Sequence, residues 1–456
     1  MIEFDNFLSP GRKGHLVGIG GVSMSSLAEV LNGMGICVTG SDMSESANVL
    51  ALRAAGIKVY HGHEAANITD DVEFVVRTAA VHDDNPEIIA AREKGIPVFE
   101  RTQAWGAISK DYSNALCISG THGKTTTTSM CTHILMAADK DPTVMIGGTL
   151  PLLNAGHRVG HGNTIIMEAC EYYNSFLSFH PTVAVILNVE ADHLDFFKDL
   201  ADVQRSFRAF AERVPADGYV GANADDPNTV DCLRGIDRKI ITFGLNDNAD
   251  VYAENIEFLG ANAQFDVMYK GNKFTDVTLH VPGLHNVKNA LAATAASICL
   301  GIRPHAVKYG LAGFNGAGRR FEFKGKFNGA DVYDDYAHHP GELKVLLDAV
   351  KQLNYKRTIL VFQPHTYSRT AALFDDFVQQ LRRPDLLILA EIYAAREKNT
   401  IGISSAALAD EVEGAVFYSS FEELEAALRS LARPGDIILT VGAGDVYKIG
   451  ENLVRE

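Results

Sequence analysis

Lys124 and Thr125 follow Gly120-Thr121-His122-Gly123 where an apolar run, Ala115 to Ile118, ends and an apolar-periodic segment, about Thr126 to Ala138, begins. The run reads as a buried strand and the periodic segment as a helix. A glycine-bounded turn between them leaves backbone N–H groups unpaired at a helix N-terminus, where the helix dipole adds partial positive charge. Such a turn holds a phosphate without any basic surface. Lys124 supplies a mobile cation for the β- and γ-phosphates, and the Thr125 hydroxyl is suited to Mg²⁺. Ile118 stands where the longer G-x-x-x-x-G-K-[ST] pattern has glycine, so the signal is the order strand, Gly-Thr-x-Gly-Lys-Thr, helix. ATP binding is the expectation.

Two further strand ends carry metal-type ligands. Thr164-Ile-Ile-Met-Glu168 delivers Glu168, and Val183 to Asn188 leads into Val189-Glu-Ala-Asp192-His193. The C-terminal strand ends of a parallel sheet gather along one crevice, so Glu168, Asp192 and His193 are expected near Lys124. A hard carboxylate and an imidazole beside Thr125 make a Mg²⁺ shell; Asp192 can equally cap the next helix. Asn286 and Asn289 lie three apart, on one side of a helix's first turn, fit for an adenine edge or for capping. Phe314 to Phe321 is glycine-rich with adjacent Arg319 and Arg320, a hinge and an anion contact. Asp334-Asp-Tyr-Ala-His-His-Pro340 and Gln363-Pro-His-Thr-Tyr-Ser-Arg369 each end a strand, and together they suggest a binding site.

Nearer the N-terminus, Gly18, Gly20 and Gly21 with Ser23 approach the dinucleotide fingerprint G-x-G-x-x-G, with serine at the third glycine. Asp42 follows at the distance of a ribose acceptor. The turn suits the diphosphate of NAD or of a nucleotide-linked substrate, or is simply a tight strand–helix turn. His61 and His63 read as solvated loop residues rather than metal ligands.

Composition narrows the classes. The 456 residues carry a net charge of −16, which argues against a nucleic-acid partner. No apolar run reaches the length of a membrane span, and the acidic start, Met1 to Leu8, is unlike a secretory signal, so no membrane association and a cytoplasmic location are expected. Six scattered cysteines without C-x-x-C read as buried thiols, Cys170 among them.

The elements that must position these residues fall into three domains, at residues 1–108, 109–317 and 318–456. Each alternates strands and helices, so the fold class is α/β: three mostly parallel sheets with flanking helices. The first is Rossmann-like, the second a P-loop unit carrying a hairpin around Lys270-Gly-Asn272, and the third Rossmann-like, with strands at 332–335, 358–362, 386–390, 415–418 and 436–441.

Gly120 to Thr126, Glu168-Ala-Cys-Glu171, Asn188 to His193, His285-Asn-Val-Lys-Asn289, Gly316 to Phe321, Asp335 to Pro340 and Gln363 to Arg369 occur in the order seen in the Mur ligases. The chain resembles that family over nearly its whole length. The resemblance implies an ATP- and Mg²⁺-dependent ligase of peptidoglycan synthesis that joins L-alanine to the carboxylate of UDP-N-acetylmuramate through an acyl phosphate, as a monomer or weak dimer. It further implies that Gly20, Gly21 and Ser23, with Asp42, hold the UDP moiety, and that Gly120, Thr121, His122, Gly123, Lys124, Thr125 and Thr126 cradle ATP. Thr125, Glu168 and His193 would hold metal, with Lys124, Glu168 and His193 the catalytic set. Asn286 and Asn289 would touch adenine, Arg319, Arg320 and Asp335 would reach ATP, and His338, His365 and Arg369 would receive the amino acid. Relatives often have aspartate at Cys170, which leaves a metal role for Glu171 open, and Arg-Ala-Glu at Arg101-Thr-Gln103. A recycling ligase for a ready-made peptide, a NAD-dependent oxidoreductase and a binding-only ATPase regulator are the rival readings.

Overall fold

The computed structural model describes residues 3–455 other than 79, 195 and 396. Three sheets carry the fold. The first has five parallel strands in the order Lys58–His61, Cys37–Asp42, Lys13–Val17, Phe74–Arg77, Val98–Glu100. Its central strand, Lys13–Val17, is buried from Gly14 onward, as a parallel strand covered by helices on both faces must be.

The second sheet has ten strands, in the order Asn272–Leu279, Asn262–Tyr269, Val251–Leu259, Lys239–Phe243, Tyr219–Asn223, Val183–Ile186, Asn114–Ser119, Thr164–Glu168, Thr143–Leu150, Ala155–Arg158. The hairpin expected around Lys270-Gly-Asn272 is its outermost pair. The strand Asn114–Ser119 pairs in parallel with Val183–Ile186 on one side and Thr164–Glu168 on the other. Ile118 lies opposite Glu168, and Ser119 opposite Ile186. This order brings the three expected strand ends side by side.

The third sheet runs Glu322–Phe327, Ala330–Asp335, Asp436–Val441, Arg357–Phe362, Leu386–Leu389, Val416–Phe417. Its edge strand, Glu322–Phe327, is antiparallel and lies outside the expected set; its burial never reaches the core, so it lacks the apolar run that marks the central strands. By contact, the chain divides into two compact units: Met1–Asn255 with Asp266–Val277 and Lys288–Gly313, and Ile256–Phe265 with Thr278–Val287 and Phe314–Glu456.

Within the first unit the helix Arg101–Lys110 leads from the first sheet to the second and buries Trp105. Gly106 allows this helix to lie against the Ser178 carbonyl, where any Cβ would collide. The 3₁₀ segment Tyr172–Ser178, which follows Glu171, is thereby held in place. Among the described residues no helix is long and apolar enough to cross a membrane.

Three expectations need correction. The helix after the glycine turn starts at Lys124, two residues early, because Gly123 at φ +86° serves as its N-cap. His63 is not solvated: its ring is 16 % exposed and meets the buried Glu87 at 3.2 Å and the Ser41 hydroxyl at 2.9 Å, whereas His61 is exposed as expected. Cys37 is exposed, and Cys170 and Cys299 are half-buried, rather than buried; all six thiols are free.

Candidate active site

The strand Asn114–Ser119 ends in Gly120 at φ +142°, a conformation that favours glycine. A Cβ there would lie 2.8 Å from Leu187 Cβ, so the turn also needs glycine for close approach to the neighbouring strand end. Asn188 shapes the loop. Its Oδ1 accepts from the His122 N–H at 2.8 Å, its Nδ2 donates to the His122 carbonyl at 3.1 Å, and its own carbonyl accepts from the Thr121 N–H at 3.1 Å. The Thr121 hydroxyl accepts from the Glu190 N–H at 2.9 Å. Asn289 belongs to the same loop, since a Cβ on Gly123 would sit 2.8 Å from its Oδ1. Thr126, at the third position of the helix, is half-buried.

Lys124 folds back over this loop. Its ammonium donates to the Gly120 carbonyl at 2.5 Å, to the Thr121 carbonyl at 3.1 Å and to Glu171 at 3.0 and 3.2 Å. Burial works against its charge, but Glu171, Cys170 and Glu168 outweigh that and hold its pKa above the ordinary lysine value. The Thr125 hydroxyl lies 3.1 and 3.0 Å from the two Glu168 oxygens, and Glu168 Oε2 also accepts from the Gly147 N–H at 2.8 Å. His193 Nε2 is 3.8 Å from Glu171 and 3.8 Å from Asp192. The three strand ends therefore meet as expected, with Glu171 inside the cluster. Asp199, not Asp192, caps the helix Leu200–Ala211; Asp192 Oδ1 accepts from the His193 N–H.

Tyr173, Asn174 and His193 all have left-handed backbone, with φ of +52°, +55° and +53°. A bulky tyrosine there is strained, and such strain persists only where surrounding contacts impose it. Here the contacts are rings: His193 stacks on Tyr172 at 4.3 Å, and Tyr173 meets Phe196 at 4.8 Å. Cys170, beside this cluster, has its thiol pushed up to about 11 by burial and the Glu171 charge, so it is packed and unreactive. In the sequence Asn188 has no assigned role and Glu171 only an open metal role; their place just beyond the ends of the strands flanking Asn114–Ser119 is the signal that could have found them.

The second glycine turn of this unit lies between Lys13–Val17 and the helix Val22–Gly33. Gly18 is at φ +79° and Gly21 is the N-cap, with Ser23 half-buried just inside. Asp42 closes the turn, its Oδ2 accepting from the Gly20 N–H at 2.8 Å and its Oδ1 from Ser44 at 3.0 Å. It is thus already engaged by the loop it was expected to complement.

In the other unit, Arg319 is a brace. Its guanidinium donates to Asp334 at 2.9 Å and to the Gly444 and Gly442 carbonyls at 3.0 and 2.6 Å, and it lies over the Tyr336 and Tyr447 rings. Arg320 is held more loosely, 3.9 Å from Glu342. Asp335 accepts from the Phe321 and Ala337 N–H groups, both at 2.7 Å, and burial pushes its carboxyl up to about 6. Asn286 donates to the Pro282 carbonyl at 2.7 Å. The structure brings His338, His365 and Arg369 together: the two imidazoles are 5.5 Å apart, and Arg369 donates to His365 Nδ1 at 3.1 Å. Burial, helped by His338 and Arg369, lowers His365 to about 4.

Three family models match the chain: the Mur ligase family catalytic domain at residues 13–113, the Mur ligase middle domain at 118–297, and the Mur ligase glutamate ligase domain at 319–444. A UDP-N-acetylmuramate–L-alanine ligase of Clostridium novyi is 48% identical over 451 residues, covering 98% of both chains. The crystal structure of the UDP-N-acetylmuramate-alanine ligase of Thermotoga maritima superposes with a TM-score of 0.82 at 30% identity, over 97% of this chain and 98% of that one. A murein peptide ligase from Psychrobacter arcticus matches with a TM-score of 0.73 at 25% identity, over 98% of each.

Proposed function

Since this chain belongs to the Mur ligase family, we propose that it joins L-alanine to the carboxylate of UDP-N-acetylmuramate at the expense of ATP, releasing ADP and phosphate. The observation that carries this reading is Lys124 drawn over its own loop by Glu171, with Thr125 on Glu168 alongside. A carboxylate is a poor electrophile and is activated by phosphorylation. That transfer asks for positioning and neutralisation of charge rather than a side-chain nucleophile. Within the Gly120 to Thr126 loop, which Asn188 shapes through the Thr121 and His122 N–H groups, the N–H groups from Gly123 to Thr126 cradle the phosphates, and Lys124 exchanges Glu171 for a phosphate oxygen when ATP arrives. Asn286 and Asn289 serve the adenine and Arg320 the phosphates, while Asp335 reaches ATP from residues 318–456; Arg319 supports Arg320 through its own brace.

Thr125, Glu168 and His193, with Glu171 beside them, suit Mg²⁺, which when bound supplies neutralising charge to the phosphates; hard carboxylate oxygens predominate in that set. The turn of Gly20, Gly21 and Ser23 takes the diphosphate of the nucleotide sugar at the start of the helix Val22–Gly33, on the main-chain N–H groups of its first residues, with Asp42 holding the turn in shape through the Gly20 N–H. His338, His365 and Arg369 receive the amino acid, the guanidinium facing its carboxylate. On this reading residues 1–108, 109–317 and 318–456 serve the nucleotide sugar, ATP and the amino acid in turn.

Phosphate release tests the reading. It should require UDP-N-acetylmuramate and alanine together, and a tripeptide should not replace alanine. Release without either would point to a simple ATPase, and tripeptide use to a recycling ligase. The higher identity to alanine-adding relatives than to the murein peptide ligase favours alanine.

A further inference from the structure

The two histidines of the amino-acid cluster hold opposite tautomers. His338 Nδ1 lies 2.9 Å from the Tyr336 carbonyl and 3.4 Å from Glu342 Oε2, both of which can only accept. The proton is therefore on Nδ1, and the lone pair is on Nε2. His365 Nδ1 receives the Arg369 guanidinium, which can only donate, so its lone pair is used there and its proton is on Nε2. Among the described residues His338 Nε2 has no hydrogen-bond partner, and the side chain is 19 % exposed. Glu342 fixes the ring's backbone as well, accepting from the His338 and His339 N–H groups at 2.9 and 3.2 Å.

We propose that His338 Nε2 is the base that takes a proton from the amino-acid ammonium group; this rests on the ligase reading above. The ammonium nitrogen has no lone pair until it loses that proton. The freed pair forms the C–N bond at the acyl-phosphate carbonyl. The C–O bond to phosphate then breaks, the phosphate taking the electron pair and the second N–H proton to leave as hydrogen phosphate. The proton on His338 returns to solvent. His365, a donor at Nε2, is fitted to the amino acid's carboxylate beside Arg369 and is unable to act as this base.

The charges around His338 agree with the role. Burial lowers its pKa, Arg369 and Arg320 act in the same direction, and Glu342 and the Tyr336 carbonyl oppose them without reversing the shift. The ring is thus neutral at pH 7, and Glu342 stands against Nδ1 to stabilise the imidazolium once formed.

Hydroxylamine tests this, because its nitrogen is already unprotonated at neutral pH and needs no base. In H338Q, alanine-dependent kcat should fall by about 10²-fold or more, with little change in KM for alanine. The acid limb of the wild-type pH profile should vanish, and hydroxamate formation from UDP-N-acetylmuramate, ATP and hydroxylamine should stay at the wild-type rate. That retained activity is also the check on folding. H365Q should instead raise KM for alanine and keep the acid limb. Equal losses with both nucleophiles, a retained acid limb, or an effect on KM alone would overturn the base assignment. Failure of the wild-type protein to form any hydroxamate would overturn the ligase reading itself.

Discussion

The first unit contains two glycine turns of the same local design, and they are built for different charges. Both follow a buried parallel strand and open a helix, with positive-φ glycines at Gly18 in one and at Gly120 and Gly123 in the other. In the Gly120 turn the first helical residue is Lys124, and Glu168 and Glu171 stand within its reach. In the Gly18 turn that position is Val22, half in solvent, which brings no cation of its own. One turn is a charged cradle whose lysine is held in reserve by a carboxylate. The other is a neutral loop whose own N–H groups are bonded inward, those of Gly18 and Ile19 to the Ser41 carbonyl and that of Gly20 to Asp42, so that the start of the helix is what it offers an anion. The backbone motif makes an anion site possible, and the side chain at the first helical position decides how much charge that site can neutralise.

The sharpest break in this comparison is Lys124→Ala. Alanine-dependent turnover should fall by about 10²–10³-fold, the usual scale for losing one charge-stabilising donor. The variant should also melt lower, since Glu171, at 3% side-chain exposure, loses its cation. Adding Glu171→Gln should restore the melting temperature and leave turnover low; recovery of both would make Lys124 structural. Glu168→Gln should raise the Mg²⁺ concentration needed for half-maximal activity by about 10–100-fold, as weakening of a metal shell does. An unchanged Mg²⁺ requirement would remove Glu168 from that shell.

Gly20→Ala probes the neutral turn. Its Cβ would lie 2.8 Å from Asp42 Oδ2 and 2.8 Å from Val49 Cγ2. KM for the nucleotide sugar should rise about tenfold, roughly 1.4 kcal/mol, with kcat and KM for ATP nearly unchanged. A matching rise in KM for ATP would merge the two turns into one site. The smallest effect on turnover belongs to Glu87→Gln, beneath the neutral turn. Burial opposes the Glu87 charge, but His15, Ser41 and Asn67 outweigh it and lower the carboxyl's pKa. A depressed native pKa gives stability that is present above the unfolded value of 4.5 and is lost as pH falls through the lower native value. The variant should therefore be less stable at pH 7 by about 1–3 kcal/mol, and denaturation curves should converge on wild type in acid.

The features legible in the amino-acid sequence are those whose cause lies within a turn or two of chain. Gly120, Gly123 and Lys124 announce their turn because φ > 0 and a helix N-terminus are local demands; Glu168 announces itself as the polar end of an apolar strand, and His193 as part of the polar stretch that follows Val183–Ile186. Less legible is whatever depends on a partner elsewhere. The polar neighbours of His63 in sequence suggest a solvated ring, while Glu87, 24 residues on, draws that ring inward. The edge strand Glu322–Phe327 gives no signal because an edge needs no apolar alternation.

Sequence alone, then, determined the α/β class, the two glycine turns, the cation at one of them and the polar strand ends, all products of short-range sterics and hydrophobic periodicity. Tertiary structure decided that Glu171, 47 residues from Lys124, is its counter-ion, that Asp42 turns back on its own loop, and that His338 and His365 hold their protons on opposite nitrogens. Those outcomes follow from strand order and from which acceptor or donor each side chain meets, and neither is written in the spacing of the residues themselves.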